Sequence, residues 1–152
     1  MSGHPDPRPD QGPTGGVTPH IGILDGRGRE AIAWYGRAFG AEEAMPAMRA
    51  GDVPGMAADD ERIMHAHLQV NGGSLMLHDA FPEHAGPIAP PSGVMLHLQV
   101  DDADRWFSRA VDAGAEATMP PSDTFWGDRY GQLRDSFGHE WSIGSTPAGV
   151  EG

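Results

Sequence analysis

Residues 62–70 (RIMHAHLQV) alternate between apolar and polar side chains, and this pattern predicts a β-strand with two unlike faces. One face is mostly apolar and suits packing beneath helices, whereas the other carries His65 and His67. Residues 93–100 (GVMLHLQV) repeat the arrangement, with Met95 and His97 on the polar side. A sheet face this rich in histidine is expected to meet water or a ligand, so these two strands indicate where function should be sought.

Helical periodicity predicts two amphipathic helices. The first covers residues 29–39, with Ile32, Tyr35 and Phe39 on its buried stripe, and Gly40 ends it. The second begins after a cap at Asp101 or Asp102 and ends at Gly114. Its core stripe is predicted to contain Trp106, Phe107, Ala110 and Val111.

Shorter strands are predicted at residues 17–24, 41–49, 74–79, 115–118, 128–134 and 140–144. The turn Asn71-Gly72-Gly73 is typical of a β-hairpin. Residues 1–16 are expected to be a disordered tail, because they are rich in Pro, Gly and Asp and bury little apolar surface, and residues 149–152 form a second tail. Residues 81–92 hold four prolines and read as a linker, and residues 120–127 read as a loop.

The chain contains an internal repeat. The stretch AFGAEEA at 38–44 matches DAGAEAT at 112–118, and each half reads strand–helix–strand–strand–strand. The predicted fold is therefore α+β, with two βαβββ modules in tandem at about 17–80 and 93–146 inside one domain at 17–148. Each module presents one polar sheet face, so we expect a cupped mixed sheet with helices on its outer face.

Composition narrows the function classes. The net charge of −12 has the wrong sign for nucleic-acid binding, and the absence of cysteine excludes disulfides and thiolate zinc sites. No apolar run approaches the roughly 20 residues of a membrane span. The N-terminus lacks an apolar signal core, so a cytoplasmic location is expected.

Several motifs together resemble one family. They are TPH at 18–20, AIAWYGRAFG at 31–40, MHA at 64–66, SLMLHD at 74–79, FWGDR at 125–129 and DSFGHEW at 135–141. In these stretches the chain resembles the vicinal oxygen chelate superfamily, and its PhnB-like branch most closely. This superfamily includes glyoxalase I, fosfomycin-modifying enzymes, bleomycin-binding resistance proteins and extradiol dioxygenases. The resemblance implies a small molecule bound in the cup and a homodimer that completes it.

The resemblance also indicates where a metal would be held, on the first and last strands of each module. Those positions fall on His20, at or near Met76, on Met95 and on Ser142. Only His20 is a conventional ligand, because neither methionine nor serine suits a hard or borderline divalent ion. The standard pattern therefore predicts no metal. A rearranged site for zinc, nickel, iron or manganese remains an alternative, with ligands from His20, His65, His67 and Glu140.

The remaining candidates line the predicted cup. The predicted ligand-binding set comprises His20, His65, His67, Met76, His78, Met95, His97, Trp126, Arg129, Tyr130 and Ser142. Arg129 can hold an anionic group, or it can pair with Asp128 or Asp135. Trp126 can cover a planar ligand, or it can anchor its loop. His65 and Glu140 are the candidate general bases.

Two functions stay open at this point. The first is a metal-free binding protein of the drug-sequestering kind, whose negative charge favours cationic ligands. The second is a metal-dependent lyase or isomerase that uses the rearranged His/Glu site. Whether the chain is an enzyme, and whether it needs a cofactor, are not decided by these residues.

Overall fold

The computed structural model describes residues 13–86 and 89–147. Most of the predicted N-terminal tail, all of the predicted C-terminal tail and positions 87 and 88 of the linker lie outside the described residues. Residues 13–16, the described part of that tail, contain no helix or strand. None of the helices in the described ranges is long and apolar enough to cross a membrane.

The chain divides into two compact units. Unit 1 comprises Met1–Ile32 and Ala41–Ile88, and unit 2 comprises Ala33–Gly40 and Ala89–Gly152. The first helix, α1 (Gly28–Phe39), therefore starts in unit 1 and ends in unit 2. The predicted module at 17–80 contains all of α1, whereas residues Ala33–Gly40 belong to unit 2; this is the chief difference between the predicted modules and the two units.

Unit 1 contains one mixed sheet. Its strands are β1 (His20–Ile23), β2 (Glu42–Glu43), β3 (Met48–Arg49), β4 (Ile63–Val70) and β5 (Gly73–Asp79), followed by the short helix α2 (Pro82–Ala85). The strand order is β1-β5-β4-β2, with β3 also on β4. Strands β1 and β5 run parallel, and the other pairs are antiparallel.

Unit 2 repeats this topology. Its elements are β6 (Met95–Gln99), α3 (Ala103–Asp112), β7 (Glu116–Asp123), β8 (Arg129–Arg134) and β9 (Glu140–Ser145). The order β6-β9-β8-β7 matches that of unit 1, and β6 pairs with β9 in parallel just as β1 pairs with β5. The predicted α+β class and the βαβββ repeat are confirmed.

The core of unit 1 contains a buried carboxylate. On the apolar face of β4 and β5, Leu68 and Leu77 are buried as the alternation predicts. Asp79 at the end of β5 is buried as well, and its carboxylate accepts hydrogen bonds from the backbone N–H of Gly28 (2.7 Å) and of Ile63 (2.6 Å). Asp79 thereby caps the start of α1 from 51 residues away and ties it to β4.

A second buried carboxylate organises unit 2. The Tyr35 hydroxyl and the Trp141 indole N–H (2.9 Å) both donate to Oδ2 of Asp135. Its Oδ1 accepts from the backbone N–H of Phe137 (2.8 Å) and of His139 (3.0 Å). Asp135 is therefore fully hydrogen-bonded, and it fastens the second half of α1 to unit 2.

Four sequence predictions need correction. Strand β7 runs on to Asp123 through two prolines, because it is an edge strand with irregular register, where a missing N–H is tolerated. The linker contains the helical turn α2, which starts at Pro82. Val111 is exposed, since the buried stripe of α3 runs through Ala103, Phe107 and Ala110. The strand predicted at 93–100 begins only at Met95, so Val94, which the alternation predicts on its apolar face, precedes β6 and is 69% exposed.

Candidate functional site

The polar sheet face of unit 1 gathers histidines from three strands. His20 on β1 lies opposite Met76 on β5, and His67 on β4 lies opposite the same methionine. His78, two residues after Met76, and His65, two residues before His67, occupy the same face. All five ligand-binding residues predicted in unit 1 therefore lie on one face of the sheet, as the alternation of side chains along a strand requires. They are His20, His65, His67, Met76 and His78.

Three of these side chains form an imidazole cluster, which we define as His20, His65 and His78. Nδ1 of His78 lies 2.9 Å from Nε2 of His20, and the rings of His20 and His65 are 6.0 Å apart between centroids. Burial, followed by the proximity of His78 and then of His65, lowers the pKa of His20. In the contact between His20 and His78 one ring nitrogen donates and the other accepts, with the roles set by the tautomers.

His67 has a different environment from the cluster. Its side chain is 3% exposed, and Nε2 contacts Ser74 Oγ at 2.8 Å and Gln69 Nε2 at 3.3 Å. Its Nδ1 is buried without a hydrogen-bond partner among the described residues. His67 shares the polar face, yet it is a buried residue and does not line open space.

Unit 2 presents a polar face of its own. His97 contacts Ser142 Oγ through Nδ1 (2.7 Å) and Gln99 Oε1 through Nε2 (2.8 Å). The Tyr130 ring stacks on His97 at 6.2 Å, and its hydroxyl lies 3.9 Å from the sulfur of Met95. The predicted residues Met95, His97 and Tyr130 are thus brought together.

An exposed aromatic hairpin adjoins Tyr130. Phe125 is 97% exposed and Trp126 53% exposed, and their rings meet edge to face at 4.9 Å. Trp126 also meets Tyr130 at 5.5 Å. Thr124 holds the turn rigid, since its hydroxyl donates to the Asp128 carbonyl (3.0 Å) and accepts from the Asp128 N–H (3.1 Å). Trp126 is therefore not a buried anchor, and Phe125 is a further exposed residue that the sequence did not single out.

Two other candidates are engaged in ion pairs. Arg129 contacts Asp104 (3.1 Å) and Asp123 (3.3 Å), rather than Asp128 or Asp135, and these contacts raise its pKa. Glu140 pairs with Arg134 at 2.8 Å. Neither side chain is free for a ligand without breaking an existing pair.

The strand register refines the metal positions. Since His20 and Met95 begin equivalent strands, the pairing of Met95 with Glu140 and of His97 with Ser142 makes Ser142 equivalent to His78, not to Met76. The positions that the resemblance indicates are thus His20 and His78 in unit 1, and Met95 and Ser142 in unit 2. The thioether and hydroxyl of unit 2 do not suit zinc, nickel, iron or manganese, and the two imidazoles of unit 1 are fewer than the three protein ligands of a catalytic zinc site. Within the described ranges, no group of three or more His, Asp or Glu side chains is placed to hold a metal ion.

Two mixed sheets of matching order, each with a polar face, define a tandem βαβββ protein, and comparison with known proteins identifies its family. The Glyoxalase/Bleomycin resistance protein/Dioxygenase superfamily profile matches residues 18–143, and the chain belongs to this superfamily.

Three proteins show the degree of similarity in sequence and in structure. An uncharacterized protein of Mycobacterium bovis, Mb0911c, is 40% identical over 134 residues, covering 84% of this chain and 81% of its own length. Protein PA1353 from Pseudomonas aeruginosa is 29% identical with a TM-score of 0.73, covering 88% and 98%. A Bacillus cereus protein described as a putative 3-demethylubiquinone-9 3-methyltransferase, PhnB protein, is 18% identical with a TM-score of 0.64, covering 86% and 98%, and shares the fold.

Proposed function

We propose that the chain is a metal-free binding protein that holds a small molecule on the polar faces of its sheets. The observation that carries the proposal is the imidazole cluster on unit 1, where three histidines lie together on a sheet face with His20 exposed. Such a concentration of hydrogen-bonding imidazoles adds little to packing and suits a polar ligand.

The polar face of unit 2 supports the same proposal. Exposing Phe125 and Trp126 on a rigid turn is unfavourable in water, and the exposure is offset if a ligand covers the rings. Aromatic faces also attract organic cations, and the net charge of −12 favours their approach. We therefore propose planar or cationic small molecules as the ligand class, in a cytoplasmic protein, a location that cell fractionation tests.

The alternative is the metal-dependent lyase or isomerase that uses His20, His65, His67 and Glu140. The contacts of these side chains favour the enzyme less than the binding protein. Glu140 is held by Arg134, and Nε2 of His67 is held by Ser74. A general base without metal remains available in the cluster, because the pKa of His20 is lowered and its neutral form accepts a proton.

A thermal-shift screen tests the binding proposal. Cationic glycopeptides and planar aromatic compounds are added to the protein, and a ligand is expected to raise Tm. Trp126→Ala and His65→Ala should weaken the shift. His84→Ala is the matched control, since His84 lies on α2 and outside both polar faces. A shift that survives both site variants, or that His84→Ala abolishes equally, would contradict the proposal.

Metal analysis on untagged protein separates the two functions. We expect no stoichiometric zinc, nickel, iron, manganese or cobalt. Stoichiometric metal that is lost in His65→Ala would reject the metal-free proposal and favour the enzyme.

We also propose a homodimer. Each sheet leaves two edges, formed in unit 1 by β1 and by β2 with β3, and in unit 2 by β6 and by β7. Edges of this kind are commonly covered by a second subunit. Light scattering coupled to gel filtration measures the mass in solution. A monomer at micromolar concentration would refute this part of the proposal.

A further inference from the structure

A surface cleft in unit 2 collects positive charge on an otherwise acidic chain. Its volume is about 540 Å³, and it runs along α3 from Arg105 to Ala113, beside the last turn of α1. Its charged and polar lining consists of Arg37, Arg105, Ser108, Arg109 and Asp112. None of these residues belongs to the polar sheet faces discussed above.

The arginines of this cleft differ from most others in the chain. Six arginines of the described residues pair with carboxylates, namely Arg27, Arg49, Arg62, Arg105, Arg129 and Arg134. Arg29, Arg37 and Arg109 form no such pair within the described ranges, and two of these three line the cleft. Acidic residues far outnumber basic ones in this chain, with a net charge of −12. Two guanidinium groups that lie close together without a carboxylate partner are therefore unexpected.

Two of the guanidinium groups are held in position by the protein. Nε of Arg109 donates to the Arg37 carbonyl (2.7 Å) and Nη2 to the Gly36 carbonyl (3.3 Å), which leaves Nη1 available. The bond to Arg37 satisfies a carbonyl at the C-terminus of α1, whereas the Gly36 carbonyl also accepts from the backbone N–H of Gly40 (3.0 Å). Arg105 is fixed by two contacts of 2.8 Å to Asp101.

Arg37 and Ser108 supply the remaining donors. Both side chains are exposed, and neither makes a hydrogen bond within the described residues. The positive charge of Arg37 is favourable at the last turn of α1, where the helix dipole is negative. This interaction requires no hydrogen bond, so the five N–H donors of the guanidinium group remain available. Guanidinium groups match the geometry of phosphate oxygens, and pre-oriented ones lose less entropy on binding.

We propose that this cleft binds a phosphate-type oxyanion, either free phosphate or the phosphate group of a small ester. Arg109 and Arg105 form a fixed platform, Arg37 closes onto the anion, and Ser108 donates a hydrogen bond. Asp112 opposes binding through charge repulsion, which limits affinity.

The test follows the arginine side-chain Nε–Hε resonances by NMR during titration with inorganic phosphate and, in a second arm, with glycerol phosphate. Ionic strength is held constant with sodium chloride. The resonances of the cleft arginines are expected to shift in a saturable manner, whereas those of paired arginines elsewhere are not. Tighter binding of glycerol phosphate would identify an ester as the ligand, and equal or weaker binding would identify free phosphate.

Three variants make the proposal falsifiable. Arg37→Gln should weaken binding about fivefold, the size of an exposed ion pair, and Asp112→Asn should strengthen it by about two- to fivefold. Arg29→Gln is the matched control, because Arg29 is also unpaired and on α1 but lies in unit 1. The proposal is overturned if phosphate produces no saturable shift. It is also overturned if Arg29→Gln weakens binding as much as Arg37→Gln, or if Asp112→Asn leaves binding unchanged.

Discussion

Removal of the Tyr35 hydroxyl tests the role of the buried Asp135 network. In Tyr35→Phe the ring keeps its packing against Phe39 and Trp141, and only the hydrogen bond to Oδ2 of Asp135 is lost. Hydrogen bonds to buried charged groups are worth about 1.5–3 kcal/mol. Because Asp135 keeps three other donors, we expect a loss near the lower end, about 1.5–2 kcal/mol.

Urea unfolding followed by circular dichroism measures this loss, and it corresponds to a fall in Tm of about 3–8 °C for a chain of this size. The chain has two tyrosines, so Tyr130→Phe is a natural control. The Tyr130 hydroxyl is half-exposed and accepts from Gln132, and its removal should cost less than about 0.5 kcal/mol.

The pH dependence provides a second check. Burial, and then the adjacent Asp135 charge, raise the pKa of Tyr35 well above its usual value. The stabilisation from this hydroxyl is therefore fully present below the unfolded pKa and is lost only as pH rises through the raised pKa. The difference between wild type and Tyr35→Phe should stay constant from about pH 6 to 9. A difference below 0.5 kcal/mol (roughly the limit for surface changes), or one equal to that of Tyr130→Phe, would refute the reasoning.

Further predictions concern the other buried carboxylate and the aromatic hairpin. Asp79→Asn should lower the unfolding free energy in urea by about 1–3 kcal/mol, because one amide oxygen replaces two acceptors for the N–H groups of Gly28 and Ile63. Burial raises the pKa of Asp79, so the Asp79 contribution to stability should fall as pH rises from the usual carboxyl value of 3.8 through the raised one. Because Asp60 and Glu83 have lowered pKa values and act in the opposite direction, the measured quantity is the difference between wild type and Asp79→Asn, and equal pH slopes would contradict the prediction. Gly28→Ala should lower the unfolding free energy in urea by about 1–3 kcal/mol, since the added Cβ would lie 2.6 Å from the Asp79 carboxylate. Helix propensity alone predicts the opposite, so an increase in the unfolding free energy would exclude that clash. Thr124→Ala should cost about 1 kcal/mol and lower the fluorescence anisotropy of the hairpin tryptophan, whereas Thr124→Ser, which keeps both Asp128 contacts, should match wild type.

The histidine face was predictable because it depends on local geometry. Successive side chains of a strand alternate between faces, so the spacing of His65 and His67 was enough to place them together. The pairing of β1 with β5 then follows from the βαβββ repeat, which brings His20 and His78 into contact. The alternation of side chains does not show that His67 is buried while His65 is half-exposed, because burial depends on which other side chains cover the polar face of the sheet.

The order and type of the main elements and the doubled topology could be predicted, since periodicity and the repeat are local properties of the chain. The number of elements was not, because the strand predicted at 41–49 is divided into β2 and β3 and the linker contains α2. The positions of the buried charges depend on contacts between segments that are distant in sequence. Asp79 and Asp135 look like ordinary turn residues in sequence, yet Asp79 receives a donor from 51 residues away and Asp135 receives one from 100 residues away. The division of α1 between the two units was equally hidden, because a helical stripe shows which residues are buried and not which sheet buries them.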